Sequence, residues 1–542
     1  MPSYRLKTQF YLGLLSGLVT VTLSYILRVT INTPFLPELA AAAIISITPA
    51  SIESQIILLL REAAKYITIL SASIINVLLY GLLTVLIFSL SEDRRVRAGV
   101  AVGLAALINM GLAFSFIMLS EVEPVRITLS SLLLGILLPS FSYGMLLSLP
   151  PTLLYGETKT RRVCNALSTS KSFKNRRRLF IHTLTASALA FVIIIYGLEK
   201  ILNNRTQLEN NVETTQYQET GDVLNHPITR SVAEYEVTPN ELFYRVDINT
   251  ITTPNIDVSK WRLRISGSVY NELYLTYDEI TSLPYVEEYT TLECVSNEIG
   301  GDLMSTAKWR GVKLKDILQR AGVKQGAKYV VFKCYDGYDV GIPLEKALEE
   351  NVILAYMMND RQLPKDHGFP LRAVVPSYYG MMNAKWITGI EVVDETYNGF
   401  WQRRGWANEA EYKIHSTILT HGNPKLRRRF PSLAKHPTYA ILNRRTIVAG
   451  IAFAGDRGIE RVEVSVDGGR TWENATLKDP LSGSTWVIWA LEWLPTRSGG
   501  TKIMVRAVDK TGKVQTAVVK PPFPDGATGY HVIDIEVKPS AP

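Results

Sequence analysis

Cysteine is scarce in this sequence: three in 542 residues, at Cys164, Cys294 and Cys334. They lie far apart and none belongs to a C-x-x-C pair, so zinc-type spacings and a disulfide framework are excluded. Histidine is nearly as rare, with seven in the chain. Only His182 falls within the long apolar runs, whereas a transmembrane b-type haem needs paired ligands. There is no C-x-x-C-H for c-type haem and no flavin motif. Both G-x-G-x-x-G after a strand and G-x-x-x-x-G-K-[ST] are missing, which leaves no Rossmann or P-loop nucleotide site.

Net charge is +8, yet its distribution argues against nucleic acid. Up to residue 200 there are 18 Lys/Arg against 9 Asp/Glu, and beyond it 40 against 41. The basic excess therefore lies beside apolar segments, where it reads as a topology signal. No basic face with interleaved aromatics appears, so no nucleic-acid partner is expected.

A span needs about 20 mostly apolar residues. Four stretches qualify and a fifth nearly does, among those near 9–27, 66–90, 98–118, 127–149 and 179–198. Residues 35–60 are also apolar but are interrupted by Pro37, Glu38, Pro49 and Glu53, which predicts an interfacial or re-entrant segment. Lys/Arg fall in alternate loops: Arg5 and Lys7, then Arg94, Arg95 and Arg97, then a cluster from Lys159 to Arg178. The loop Glu121–Arg126, on the other side, is more acidic. The positive-inside rule puts the N-terminus in the cytoplasm. Five spans then place everything after about residue 200 on the extracytoplasmic side of the plasma membrane. Four or six would reverse this. Arg177-Arg178-Leu-Phe-Ile181 resembles a twin-arginine export signal, although arginines there also simply anchor a helix end. No acidic residue lies deep in a span, so the helices read as an anchor in lipid rather than a conducting or quinone-binding domain.

Composition divides the rest. Residues 1–199 form a helical membrane domain and 200–235 a polar tether without apolar periodicity. From 236 to 424 the pattern is mixed α+β. Trp261–Gly267 alternates as a half-buried strand, and Lys313–Ala321 has helical spacing ending at Gly322. Tyr329–Cys334 is a strand running into a turn at Asp336-Gly337, and Leu371–Pro376 a short buried strand. From 425 to 542, strand-like runs at Ile447–Phe453, Ile459–Val466, Thr485–Leu494 and Lys502–Val508 alternate with glycine turns. They suggest an immunoglobulin-like β-sandwich.

Several segments carry a resemblance. Thr291-Leu-Glu-Cys-Val-Ser-Asn-Glu-Ile-Gly-Gly-Asp302 with Trp309-Arg-Gly-Val312 is similar to the molybdenum-ligand segment of the sulfite oxidase family. Leu354–Asn359, Leu363–Arg372, Val374–Pro376, Gly380–Trp386, Glu395–Tyr397 and Trp401–Arg404 continue the likeness in order. Phe243-Tyr-Arg245 opens it, and Val462–Trp472 resembles the family's dimerisation domain. The likeness covers about 240–540. The membrane half looks like the membrane-anchored prokaryotic branch.

The resemblance implies a molybdenum–molybdopterin cofactor with Cys294 as the protein's ligand to the metal. A thiolate suits a metal already held by pterin sulfur. Gly300 and Gly301 would let backbone pass close to a bulky group. The pterin carries a phosphate, which Arg372 could hold as a fork and Lys385 as a point charge. By resemblance Tyr244, Arg245, His367, Asn383 and Ala384 also line the cofactor. Tyr397 and Arg245 would stand with Cys294 in the catalytic set, and a homodimer is implied.

The sequence also departs from the family. Sulfite oxidases follow the ligand cysteine with Ala-Gly-Asn-Arg-Arg, and here Val295-Ser-Asn-Glu-Ile299 stands instead. An anionic substrate loses a cationic partner and meets Glu298. Met382 likewise replaces a frequent Arg or Lys. Three readings follow. One is oxidation of sulfite or a related small oxyanion. A second is reduction of a neutral S-oxide such as methionine sulfoxide. The third is a non-catalytic membrane receptor on the same fold. For the enzymes, electrons must pass through a separate carrier or a quinone.

Overall fold

The computed structural model describes residues 2–31, 33–49, 52, 56, 63–90, 93–119, 129–148, 222–248, 253–421, 431–434 and 436–540. The expected fifth span, the twin-arginine segment and most of the tether lie outside them. The chain divides into two compact units. One comprises 1–47 and 63–209, the other 48–62 and 210–542.

The first unit is helical: α1 (Pro2–Ile31), α2 (Leu36–Ile47), α3 (Ala63–Leu90), α4 (Arg94–Leu119) and α5 (Leu129–Ser148). Four stretches, Gln9–Ile31, Ile67–Leu90, Arg95–Leu119 and Ser130–Ser148, are long and apolar enough to cross a membrane. The fourfold match follows from uninterrupted apolar runs, which satisfy the backbone internally as helices. α2 is a short apolar helix of 12 residues packed on α3 and α4. Its Glu38 forms a buried two-bond pair with Arg28 of α1, at 2.5 and 3.1 Å. The sequence patterns did not show this pair, because its partners lie on either side of the break at Thr33–Phe35.

The second unit holds four sheets. The first runs β2-β1-β10-β5-β6 and the second β3-β4-β7-β8, with β9 also on β7. Their ranges are β1 Arg262–Gly267, β2 Leu273–Thr276, β3 Val286–Glu293, β4 Met304–Lys313, β5 Tyr329–Cys334, β6 Asp339–Pro343, β7 Ile353–Met358, β8 Arg361–Gln362, β9 Arg372–Val374 and β10 Ile387–Val393. The helix Leu314–Ala321 buries Leu314, Ile317, Leu318 and Ala321, one face at 3.6-residue spacing, and stops at Gly322. Glycine fits that cap because its φ is +70°.

Two further sheets form the C-terminal part: β11-β13-β17-β16 and β12-β19-β18-β14-β15. They comprise β11 His415–Ile418, β12 Ala440–Ile441, β13 Thr446–Phe453, β14 Ile459–Ser465, β15 Glu473–Asn474, β16 Thr476–Leu477, β17 Val487–Trp493, β18 Gly499–Asp509 and β19 His531–Lys538. Ile418, Val448 and Trp489 of one sheet share a core with Val462, Val505 and Ile535 of the other.

Two expected boundaries move. Pro227–Ala233, inside the stretch expected as tether, is a helix with Ile228, Thr229 and Val232 buried. Proline begins it and His226 accepts the Ile228 N–H, so a polar-looking sequence still starts a helix. β11 lies before residue 425 yet pairs with β13, so the C-terminal sheets take up His415–Ile418.

Candidate active site around Cys294

Cys294 is the first residue after β3, where the chain leaves the β3–β4 hairpin in a ten-residue loop. The loop closes on itself: Cys294 N–H donates to the Leu303 carbonyl at 2.9 Å, and Asn297 N–H to the Cys294 carbonyl at 2.9 Å. The thiol is buried and lies 3.0 Å from the Ser296 hydroxyl. Burial pushes its pKa up, against the Ser296 hydrogen bond. In the bare protein it is an uncharged thiol, and a cation must join it to hold the thiolate.

The loop is clamped from beneath. Glu293 is buried, and its Oε1 accepts from Asn297 Nδ2 and from His415 Nδ1, both at 2.9 Å. Asn297 Oδ1 takes the Leu303 N–H at 3.0 Å. His415 comes from the C-terminal sheets. So does His531, whose ring fills the space a side chain at Gly300 would need. Gly300 has φ +70°, so both conformation and contact call for glycine there.

The expected phosphate-binding residues converge. Arg372 opens β9 and is buried, with its guanidinium 4.7 Å from the Trp309 ring centre. It donates to the carbonyls of His367 (3.0 Å) and Asn383 (3.5 Å). Among the described residues no carboxylate forms an ion pair with it, and burial lowers its pKa to about 10. Lys385 lies 3.4 Å from both Asp247 Oδ2 and the Asp366 carbonyl. Burial lowers its pKa too, opposed by Asp247. Gly368, at φ +115°, lets the chain pass between Arg372 and Lys385, because a Cβ there would press on both. Trp386 beside Lys385 sits at φ +54°, a conformation bulky residues rarely adopt.

Tyr244 reaches the same place from the N-terminal segment, its N–H held by Ser305 Oγ at 3.0 Å. A Cβ on Gly380 would strike its hydroxyl. Burial raises the Tyr244 pKa, as does the nearby Cys294. Arg245 pairs with Asp247 (2.7 Å) and Asp366 (3.0 Å). The His367 ring contacts the Asn240 carbonyl at 2.8 Å, and burial lowers its pKa to about 4. It is therefore neutral at physiological pH.

Three expected residues are otherwise engaged. The Asn383 amide accepts the Val375 N–H (2.7 Å) and donates to the carbonyls of Tyr378 (3.2 Å) and Tyr379 (3.1 Å), so its donors hold the loop. Ala384 gives its carbonyl to Ala373 N–H at 2.8 Å. Tyr397 is held in a charged cluster. Its hydroxyl donates to Asp339 Oδ2 (2.5 Å) and accepts from Lys333 (3.0 Å), while Arg403 also binds Asp339 at 3.0 Å. Met382 is buried in the apolar core, an environment that accounts for the absence of a charge at that position.

Sequence reasoning missed Asp247, Glu293, His415 and Trp309. Glu293 carried a usable signal, since it is a carboxylate flanking Cys294 on a strand. His415 carried none, being more than 100 residues away on another sheet.

Residues 250–401 match the model of the oxidoreductase molybdopterin binding domain, and 434–521 that of the Mo-co oxidoreductase dimerisation domain. Sulfite oxidase of Gallus gallus is 32% identical over 332 residues, covering 54% of this chain and 71% of that protein. The chain belongs to the sulfite oxidase family. The mitochondrial sulfite oxidase of Rattus norvegicus is 31% identical over 329 residues, and the match spans 60% of its length. The uncharacterized oxidoreductase YuiH of Bacillus subtilis is 36% identical over 150 residues, 28% of this chain and 74% of that one.

The family's cofactor, molybdenum–molybdopterin, fits the residues in place. A buried guanidinium without a carboxylate partner among the described residues suits an anion such as a phosphate. The Cys294 thiol, which like Arg372 neighbours Tyr244 and is held by a closed loop, suits a metal ligand once deprotonated.

Proposed function

We propose that this protein is a molybdenum–pterin oxidoreductase, attached to a membrane by its helical unit, that carries out two-electron oxygen-atom transfer on a small substrate. The observation that carries the reading is the buried Arg372, without a carboxylate partner among the described residues, which shares Tyr244 as a neighbour with the buried Cys294 thiol. Arg372 and Lys385 would hold the pterin phosphate, with Tyr244 and His367 lining the group. Cys294 would ligate molybdenum. When bound, the cofactor supplies the oxygen-atom and electron chemistry. The chain positions it. The Cys294–Leu303 and Glu293–Asn297 hydrogen bonds fix the thiol, the neutral His367 adds no charge beside Arg372, and the buried walls exclude water. Tyr397, held by Asp339 and Lys333, would orient substrate at the rim. The C-terminal sheets read as an immunoglobulin-like sandwich suited to a homodimer.

The family relatives named above are sulfite oxidases, and sulfite or a similar oxyanion is the first substrate class. A neutral S-oxide is the second. It is favoured by a loop after Cys294 that offers no cation, with Glu298 and Ile299 where the family carries arginines. Stopped-flow mixing of molybdenum-loaded full-length protein tests both. Sulfite reducing the oxidised centre supports the first, and methionine sulfoxide reoxidising the reduced centre supports the second. Failure of both excludes these substrates, and purified protein without molybdenum and pterin would sink the enzymatic reading.

A further inference from the structure

The helical unit holds a mostly apolar cavity with a few polar groups in its wall, which an anchor does not need. It lies among α1, the α1–α2 turn, α3, α4 and α5, and its enclosed part is about 20 Å³, room for one water-sized group. With its mouth the empty space is about 390 Å³. Ser24 and Asn76 line it, each 9% exposed, and neither side chain has a hydrogen-bond partner among the described residues. Both lie on helices long and apolar enough to cross a membrane. Unpartnered polar groups in such a setting cost free energy unless something fills the space and bonds to them.

The neighbouring polar groups are arranged to donate. The Tyr80 hydroxyl accepts from Asn109 Nδ2 at 2.7 Å, so its own proton remains to give. Asn76 adds amide N–H groups and Ser24 a hydroxyl. Pro139 of α5 lacks the N–H that would bond the Gly135 carbonyl, which loosens the helix at the cavity wall. Phe35, Leu39 and Ile136 supply the apolar remainder.

We propose that this cavity binds the carbonyl of a lipid-borne quinone, with one oxygen in the enclosed part and the ring in the mouth between Phe35 and Tyr80. A quinone oxygen accepts hydrogen bonds and donates none, which matches the three donors. Its planar apolar ring matches the walls. A bilayer-soluble two-electron partner also suits a chain without haem or flavin motifs. Only this last argument rests on the proposed redox function.

The test is binding without turnover, so it stands or falls apart from the choice of substrate. Full-length protein in phosphatidylcholine nanodiscs is titrated with decylubiquinone and with menadione, against empty nanodiscs. One saturable site for either quinone, with a rise in Tm, supports the proposal. Asn76→Leu and Ser24→Ala should each weaken the Kd about fivefold to tenfold, the worth of one hydrogen bond. Neither side chain bonds to another described residue, so the variants should keep the wild-type Tm in the absence of quinone. No saturable binding of either quinone, or unchanged affinity in both variants, overturns the proposal.

Discussion

Arg372→Met separates a residue that serves the fold from one that serves a bound anion. Burial lowers the Arg372 pKa from 12.5 to about 10. At about 1.36 kcal/mol per unit, the charged form costs roughly 3 kcal/mol in the bare protein. Two hydrogen bonds to the carbonyls of His367 and Asn383 return about 1 kcal/mol each, and the Trp309 ring about another 1. The terms nearly cancel. Methionine, similar in length and apolar, should therefore change the stability of cofactor-free protein by no more than about 1 kcal/mol. A phosphate held by a buried fork is different. Two charge-assisted bonds at about 1.5–3 kcal/mol each put the loss of cofactor affinity near 10² to 10⁴-fold. Full-length protein made in a host unable to synthesise the cofactor gives the first number by denaturant titration. Molybdenum content after gel filtration of protein from a competent host gives the second. A variant that loses 3–5 kcal/mol without cofactor, yet keeps its molybdenum, would falsify the assignment and mark Arg372 as part of a structural ion pair.

Cys294→Ser should abolish turnover while pterin is still recovered from the protein, because Arg372 and Lys385 remain; full activity refutes the ligand role. His367 and His531 both have pKa values lowered to about 4 by burial. The unfolded chain binds their protons more readily, so their stabilisation is complete above about pH 6.5 and is lost as pH falls toward 4. Linkage gives on the order of 3 kcal/mol each. Urea titrations at pH 7 and 4.5 check this, and His367→Gln should remove about half of the difference, His531 keeping the rest. His415→Leu leaves Glu293 buried without its imidazole and should cost about 3–5 kcal/mol. In a double-mutant cycle with Glu293→Gln the effects should be far from additive, and additivity within 0.5 kcal/mol would refute the pairing.

Much of the fold was legible because periodicity and burial agree. β1 has the burial alternation its pattern implies, and Tyr329–Cys334 is β5 residue for residue. β19 is absent from the sequence expectations although His531–Lys538 alternates without interruption between buried and exposed. Its inward set opens with His531 rather than an apolar residue, and Asp534 and Glu536 stand on the outward face, so the apolar run is short. The site was legible to the extent that its chemistry sits in local segments. Cys294, Arg372 and Lys385 each lie in a recognisable stretch. The partners that hold them do not: His415 reaches Glu293 from another sheet, and Asp247 serves Arg245 and Lys385 at once.

Those partners also bear on the departure after Cys294. Asn297 matches the family's asparagine and directly precedes Glu298 and Ile299, where the family carries arginines, and it is buried with its amide committed to Glu293 and Leu303. An arginine introduced at Asn297 would meet a carboxylate whose Oε1 already takes two donors and whose Oε2 has none. It would pair inward with Glu293 rather than face a substrate. Creating an anion site by Asn297→Arg alone should therefore fail, and Asn297→Arg with Glu293→Gln should free the guanidinium. Sulfite KM measured in both variants decides the matter. A tenfold fall in KM for the single variant would show that the loop, and not the Glu293–His415 clamp beneath it, sets the charge at the site.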